Sequence, residues 1–238
     1  MKIGIIEAGM PPGNLEAMFG RFDAMVREFL GIGHCYQTYR AYEGILPHKV
    51  EEQDAYVITG SMAGVHDDAK WIADLSVFLQ TARGSAKLVG ICFGHQIIAH
   101  AFGGKVGRAT SGWGIGLHAY RVREPLHGAE SHEAMMAPVF HQDQVIALPS
   151  GARVLAASDF TPFAVLTYED QSAISFQCHP EFSTAFARAL VDVIDAPTLS
   201  EESRTAARTS LEKGNDELRF AGMIEDFLAG KDHQAIPR

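Results

Sequence analysis

The segment Leu88-Val89-Gly90-Ile91-Cys92-Phe93-Gly94-His95-Gln96 carries the strongest chemical signal in the chain. Gly90-x-Cys92-x-Gly94 follows an apolar run and precedes a helical pattern, the layout of a nucleophile elbow with sulfur as nucleophile. Such an elbow turns so sharply that the residues two before and two after must be small, and Gly90 and Gly94 meet that need. It places Cys92 at the N-terminus of the next helix, whose positive end favours a thiolate. The amide of Phe93 then points to where an oxyanion would form. Cys35 and Cys178 lack such flanks and read as ordinary core thiols.

A thiol nucleophile needs a base, and the base needs an orienting partner. Among eleven histidines the context singles out His179, in Phe176-Gln177-Cys178-His179-Pro180-Glu181-Phe182. It ends an apolar run, and Pro180 holds it in extended geometry. Positions i and i+2 of an extended segment face the same way, so Glu181 lies beside His179 and can accept its ring N–H. The order Cys, His, Glu sets both segments at carboxyl ends of strands, where open α/β sheets build their sites.

The elements that must hold these residues follow from periodicity. Continuous apolar runs at Ile3–Ile6, Ala55–Thr59 and Lys87–Ile91 read as buried strands, with a further strand at Cys35–Tyr39. Spacings of three and four predict helices over 15–30, 70–83, 96–102 and 182–194. Shorter runs at 117–122, 144–148, 153–157, 164–168 and 173–177 predict added strands and hairpins. Pro197 ends a helix, Thr198 or Ser200 caps the next, and a last helix covers 215–229 with an apolar stripe that reads as core packing. The expectation is a mostly parallel sheet with helices on both faces, extra antiparallel strands, and one domain over 1–195 with a helical extension over 196–238.

Composition narrows the function. The chain has 238 residues, 20 basic against 29 acidic, for a formal charge of −9, which disfavours nucleic acid and anionic membrane as partners. Three scattered cysteines make no disulfide framework and point to a reducing, cytoplasmic setting. The run after Met1 and Lys2 is too short for a signal peptide, and no stretch is long enough to span a membrane. Gly112-Trp113-Gly114-Ile115-Gly116 opens no helix and is not a dinucleotide loop. His127, His132 and Glu133 lack metal-ligand spacing and read as a solvated loop. Neither a metal nor a cofactor is expected.

Taken together, the motifs resemble those of the class I (triad-type) glutamine amidotransferases, and in particular stand-alone members similar to the glutaminase domain of GMP synthase. Gly90-Ile91-Cys92-Phe93-Gly94-His95-Gln96 matches the nucleophile segment of that family and Cys178-His179-Pro180-Glu181-Phe182 its His-Pro-Glu segment. Thr59-Gly60-Ser61-Met62 occupies the place of its Ser-Gly-Gly-Pro oxyanion loop, with Ser61 for the second glycine and Met62 for the proline. Val139-Phe140-His141-Gln142-Asp143-Gln144-Val145 is similar to its His-x-Asp-x-Val segment. The likeness runs over residues 3–190. It implies a flavodoxin-like fold and hydrolysis of a γ-glutamyl amide through a thioester on Cys92. It implies His179 as base then acid, Glu181 as orienter, and N–H groups of Phe93 and of Ser61 or Gly60 as oxyanion donors. Gln96 would brace the elbow, and His141 would be structural.

Neither a phosphate loop nor a pyrophosphatase motif is present, and the 57 residues after Glu181 are few for a synthetase domain. The expectation is therefore a free-standing γ-glutamyl hydrolase or the partner of a separate synthetase subunit. The altered Gly60-Ser61-Met62 loop tilts it to the former. The alternatives are a γ-glutamyl peptidase acting on glutathione-like compounds, a deglycase- or chaperone-like relative, and a non-catalytic regulatory module. The expected ligand in the enzyme readings is a small γ-glutamyl compound.

Overall fold

The computed structural model describes residues 1–194 and 198–231. In chain order they form β1 (Lys2–Glu7), α1 (Leu15–Phe19), α2 (Phe22–Leu30), β2 (Cys35–Arg40), β3 (Ala55–Ile58), α3 (Lys70–Ala82) and β4 (Lys87–Ile91). There follow α4 (Phe93–Ala101), β5 (Lys105–Arg108), β6 (Gly114–Val122), β7 (Ala134–His141), β8 (Asp143–Ala147), β9 (Ala152–Ala157), β10 (Val165–Tyr168) and β11 (Ala173–Phe176). The chain closes with α5 (Thr184–Val193), α6 (Glu201–Ser210) and α7 (Glu217–Leu228).

Nine strands make one sheet in the order β2-β1-β3-β4-β11-β10-β9-β6-β7. The first five are mutually parallel, in the flavodoxin-like order that the sequence implied. The other four extend the sheet antiparallel, and β5 pairs with β8 in a separate ribbon.

The parallel strands read as unbroken apolar runs because both of their faces are buried. Ile3, Ile5, Val57, Val89, Ile91 and Ile174 point into one core with α2 and α7. The alternate residues Ile6, Tyr56, Ile58 and Leu88 point into the other with α3 and α4. At ~1.5–3 kcal/mol for each large apolar side chain, this two-sided burial fixes the strand ends that carry the site. The stripe on α7 also faces the sheet, with the Phe220 and Phe176 rings 5.9 Å apart edge-on.

Several expectations change. The helix over 15–30 is two helices, because Gly20 takes φ 83° and Arg21 is extended. The helix after the elbow begins at Phe93 rather than Gln96. β5 and β7 were not legible. β5 has one buried apolar residue, and Pro138 in β7 argues against a central strand, but β7 lies at the sheet edge where proline is tolerated. Cys35 is exposed at the start of edge strand β2 rather than in the core, while Cys178 is buried. Gly114 opens β6, and Gly116 (φ 86°) lets α6 pack close, since a Cβ there would stand 2.5 Å from Ser210 Oγ. Ser200 caps α6, its hydroxyl accepting from Ser203 N–H at 3.1 Å. Pro197 and the 195/196 boundary lie outside the described residues. Among the described residues no helix is long and apolar enough to cross a membrane.

Candidate active site

Cys92 connects β4 to α4 with φ 52° and ψ −100°, a conformation that side chains rarely adopt. The surroundings enforce it. A Cβ on Gly90 would stand 2.6 Å from the Gly94 carbonyl, and one on Gly94 would stand 2.2 Å from the Ile58 carbonyl. Both glycines are therefore steric requirements of the elbow. Cys92 N–H donates to the Phe176 carbonyl at 2.7 Å, which ties the elbow to the end of β11. Phe93 is the first residue of α4, so its N–H has no partner within the helix.

His179 lies three residues beyond β11. Its backbone N–H donates to the Pro138 carbonyl of β7 at 2.8 Å. Its Nδ1–H donates to Glu181 Oε1 at 2.8 Å, with both side chains almost fully buried. That leaves Nε2 as the free ring nitrogen, and the charge of Cys92 acts on the imidazole. Phe182 stacks on the imidazole with centroids 4.0 Å apart and planes 7° apart. Gly60 packs against the ring edge, where a Cβ would stand 2.8 Å from Cε1. Burial alone would pull the imidazole pKa down. The opposed Cys92 charge, then Glu181, outweigh burial and push His179 up to about 10. The cationic form of the His179 imidazole is therefore favoured.

The other buried histidines near the site are pushed the opposite way. Burial drives His95 down to about 3, and its Nδ1 pairs with Ser175 Oγ at 2.9 Å. Burial, then His118 and His179, drive His141 down to about 3. His141 Nδ1–H donates to the Asp143 carbonyl at 3.2 Å.

A cleft of about 170 Å³ opens over Cys92, lined by Ser61, Met62, Gln96, Arg108, Trp113, Phe140, His141 and Asp143 among others. This is small beside the ~300–1,000 Å³ of sites for drug-sized ligands and suits a small polar substrate group. Ser61 belongs to its wall. The Ser61 hydroxyl donates to the Ala8 carbonyl at 2.8 Å and accepts from Ala63 N–H at 3.1 Å. The serine that replaces glycine therefore anchors the loop to the end of β1. Gln96 Nε2 donates to the Asp143 carbonyl at 2.8 Å, which ties the first turn of α4 to β8.

Sequence reasoning did not single out Arg108, Trp113, Phe140 or Gln177. Arg108 and Asp143 pair at 3.5 Å across the β5–β8 ribbon, and Trp113 Nε1–H donates to Thr198 Oγ1 at 3.0 Å. Gln177 did carry a readable signal, since 177, 179 and 181 share one face of an extended segment. His127 pairs with Asp226 at 2.7 Å and Glu133 with Arg219, away from this cleft. Among the described residues no three His, Cys, Asp or Glu side chains form a metal-ligand group.

Fold and site define a flavodoxin-like α/β protein with a thiol on a strained elbow, opposite a histidine–carboxylate pair. The family model for glutamine amidotransferase class-I matches residues 25–190, and the chain belongs to that family. It is 32% identical to gamma-glutamyl peptidase 2 of Arabidopsis thaliana over 89% of each chain. It is 29% identical to GMP synthase [glutamine-hydrolyzing] of Wolinella succinogenes, over 61% of this chain and 29% of that one. A glutamine amido transferase from Methylobacillus flagellatus shares the fold, with a TM-score of 0.71 and 17% identity over 100% of this chain and 97% of the other. The chain is a class-I glutamine amidotransferase-type hydrolase by family.

Proposed function

We propose that this chain hydrolyses the γ-glutamyl amide bond of a small γ-glutamyl compound through a thioester on Cys92. The observation that carries the reading is the pairing of His179 Nδ1 with Glu181, which leaves Nε2 free to serve a thiol held on a strained elbow. The Cys92 thiolate attacks the γ-carbonyl carbon. The carbonyl oxygen becomes an oxyanion facing the N–H groups of Phe93 and of Ser61 or Gly60. The His179 imidazolium gives its proton to the leaving nitrogen, the C–N bond breaks, and an amine or ammonia departs. Thioester formation removes the negative charge that held the imidazolium, so His179, its proton already given to the leaving nitrogen, stays neutral and can take a proton from water. Hydroxide attack on the thioester releases glutamate and restores the thiolate. Glu181 keeps the tautomer and steadies the cation.

The free-standing γ-glutamyl hydrolase is favoured over a synthetase-dependent subunit. The likeness to the γ-glutamyl peptidase spans 89% of both chains, whereas that to GMP synthase spans 29% of the larger protein. The cleft wall also offers one cationic and one anionic side chain, Arg108 and Asp143, to match the carboxylate and ammonium of a γ-glutamyl group. The test is hydrolysis of glutamine and of γ-glutamyl peptides side by side, with release of glutamate measured. Faster turnover of the peptides, unaffected by ATP, supports the reading. Preference for glutamine, stimulated by cell extract and ATP, supports a synthetase partner instead. No turnover of either, with an unreactive Cys92, supports a non-catalytic module.

A further inference from the structure

Gln177 follows β11 and is fully buried. Its place beside the nucleophile comes from strand register: β11 runs parallel to β4 with Phe176 opposite Ile91, so the next residues along are Gln177 and Cys92. Gln177 Nε2 lies 3.7 Å from Cys92 Sγ, and its Oε1 lies 3.3 Å from Gln96 Nε2. Gln96 Nε2 is in turn 2.8 Å from the Asp143 carbonyl.

The direction of this chain of amides follows from its far end. A backbone carbonyl can only accept, so Gln96 must turn its NH2 group toward Asp143. The second N–H of that group then meets Gln177, which must present its oxygen. The NH2 group of Gln177 is left facing the sulfur. Flipping Gln177 would set two NH2 groups against each other in a buried site, where an unpaired donor costs ~1–3 kcal/mol.

We propose that Gln177 is a positioning residue that holds Cys92 as thiolate, with its amide aimed at the sulfur by Gln96 and the Asp143 carbonyl. A thiol would instead donate to the Phe140 carbonyl, 3.8 Å from Sγ, and that carbonyl disfavours the anion. The donor on Gln177 offsets it and adds to the imidazolium. The titratable groups that face Cys92 are His179 beyond β11, with Glu181 behind it, Tyr120 on β6 and Cys178. His141 on β7 shares the cleft and is neutral. Arg108 and Asp143 line the same cleft and pair with each other at 3.5 Å, so their charges oppose one another at the sulfur. His179 is then the one unopposed cation in this set, and none of these groups is a neutral donor fixed by a relay. The same relay commits both N–H groups of Gln96, so a substrate group that meets Gln96 must donate to its oxygen.

The proposal rests on the reading of Cys92 as nucleophile, and alkylation tests the two separately. In a Cys35→Ser background, iodoacetamide modification of Cys92 is followed from pH 4 to pH 10 by mass spectrometry, with thermal unfolding as the check on folding. Gln177→Met keeps length and loses the donor. Gln177→Glu keeps shape and replaces the donor by an acceptor. The acid limb should move up by about one pH unit for Met, about tenfold less thiolate at a given pH, and further for Glu. The alkaline plateau should be unchanged. Gln96→Met leaves the buried residue in place but frees its amide to rotate, and should move the limb the same way by less. This variant decides the matter if neither Gln177 variant folds. An unmoved limb in a folded variant overturns the proposal while leaving Cys92 as nucleophile. Failure of wild-type Cys92 to react selectively near pH 6 overturns both.

Discussion

The two halves of the sheet meet at Cys92 and contribute in different ways. On the proposed reading the parallel half supplies the reacting groups from turns at its strand ends: the elbow after β4, and His179 and Glu181 after β11. The antiparallel half supplies the surroundings. Pro138 of β7 fixes the His179 backbone, and Phe140, His141 and Trp113 wall the cleft. On that reading, chemistry is built from a few adjacent residues held by local sterics. Substrate space is built from strands far apart in the chain. Changes in the first half should therefore strike the rate of the chemical step, and changes in the second should strike substrate affinity.

The sharpest test of that division is Cys92→Ala. Turnover should fall by ~10⁴-fold or more, since triad members act as a unit, while thermal unfolding stays near wild type. Retained turnover would end the assignment of chemistry to the elbow. Next is Glu181→Gln, which can offer its NH2 group to the imidazole and favour the wrong tautomer. A loss of roughly 10²–10⁴ in kcat with little change in KM is expected. The two variants should differ, because one removes the proposed nucleophile and the other only the proposed orienter.

The pH profile sharpens the same contrast. His179 stands above its ordinary value, up to about 10, so its cation persists through neutral pH and is lost as the pH climbs through that value. Turnover should hold from neutrality and fall on the alkaline side. The falling limb should move to lower pH in Glu181→Gln, which lacks the anion that helps hold the proton.

Gly94→Ala tests the sterics of the elbow directly. A methyl group there would meet the Ile58 carbonyl at 2.2 Å, an overlap that something must move to relieve. A cost of ~3 kcal/mol would lower Tm by roughly 6–12 °C in a domain of this size, with activity falling as the elbow shifts. The smallest effect is expected in the antiparallel half. Trp113→Ala should raise KM about tenfold and change kcat by less than about threefold, because it removes a wall and no reacting group. A larger loss in kcat than in KM would erase the distinction between the halves.

Much of the site could be read before any fold was known, and the reason is range. An elbow is set by sterics over five residues, so Gly90-x-Cys92-x-Gly94 announces itself. His179 and Glu181 flank one proline, and alternation along an extended segment is enough to pair them. The buried parallel strands were legible as short apolar runs because both of their faces are covered. The break at Gly20 was not, since apolar spacing continues across it and only the packed backbone shows the turn.

Other features were decided only by tertiary structure. Pro138 lies in a strand because β7 happens to be an edge, a fact that depends on the order of the whole sheet. Ser61 could have disrupted the loop, and it instead anchors it because the end of β1 offers the Ala8 carbonyl. Arg108 reaches the cleft through a ribbon pairing with Asp143, and Gln177 reaches Cys92 through the register of two strands 85 residues apart. Local sequence carries the conformations that short-range sterics and alternation dictate. Contacts between distant segments depend on which pairings bury the most apolar surface while satisfying every buried polar group, and that balance is struck by the folded chain as a whole.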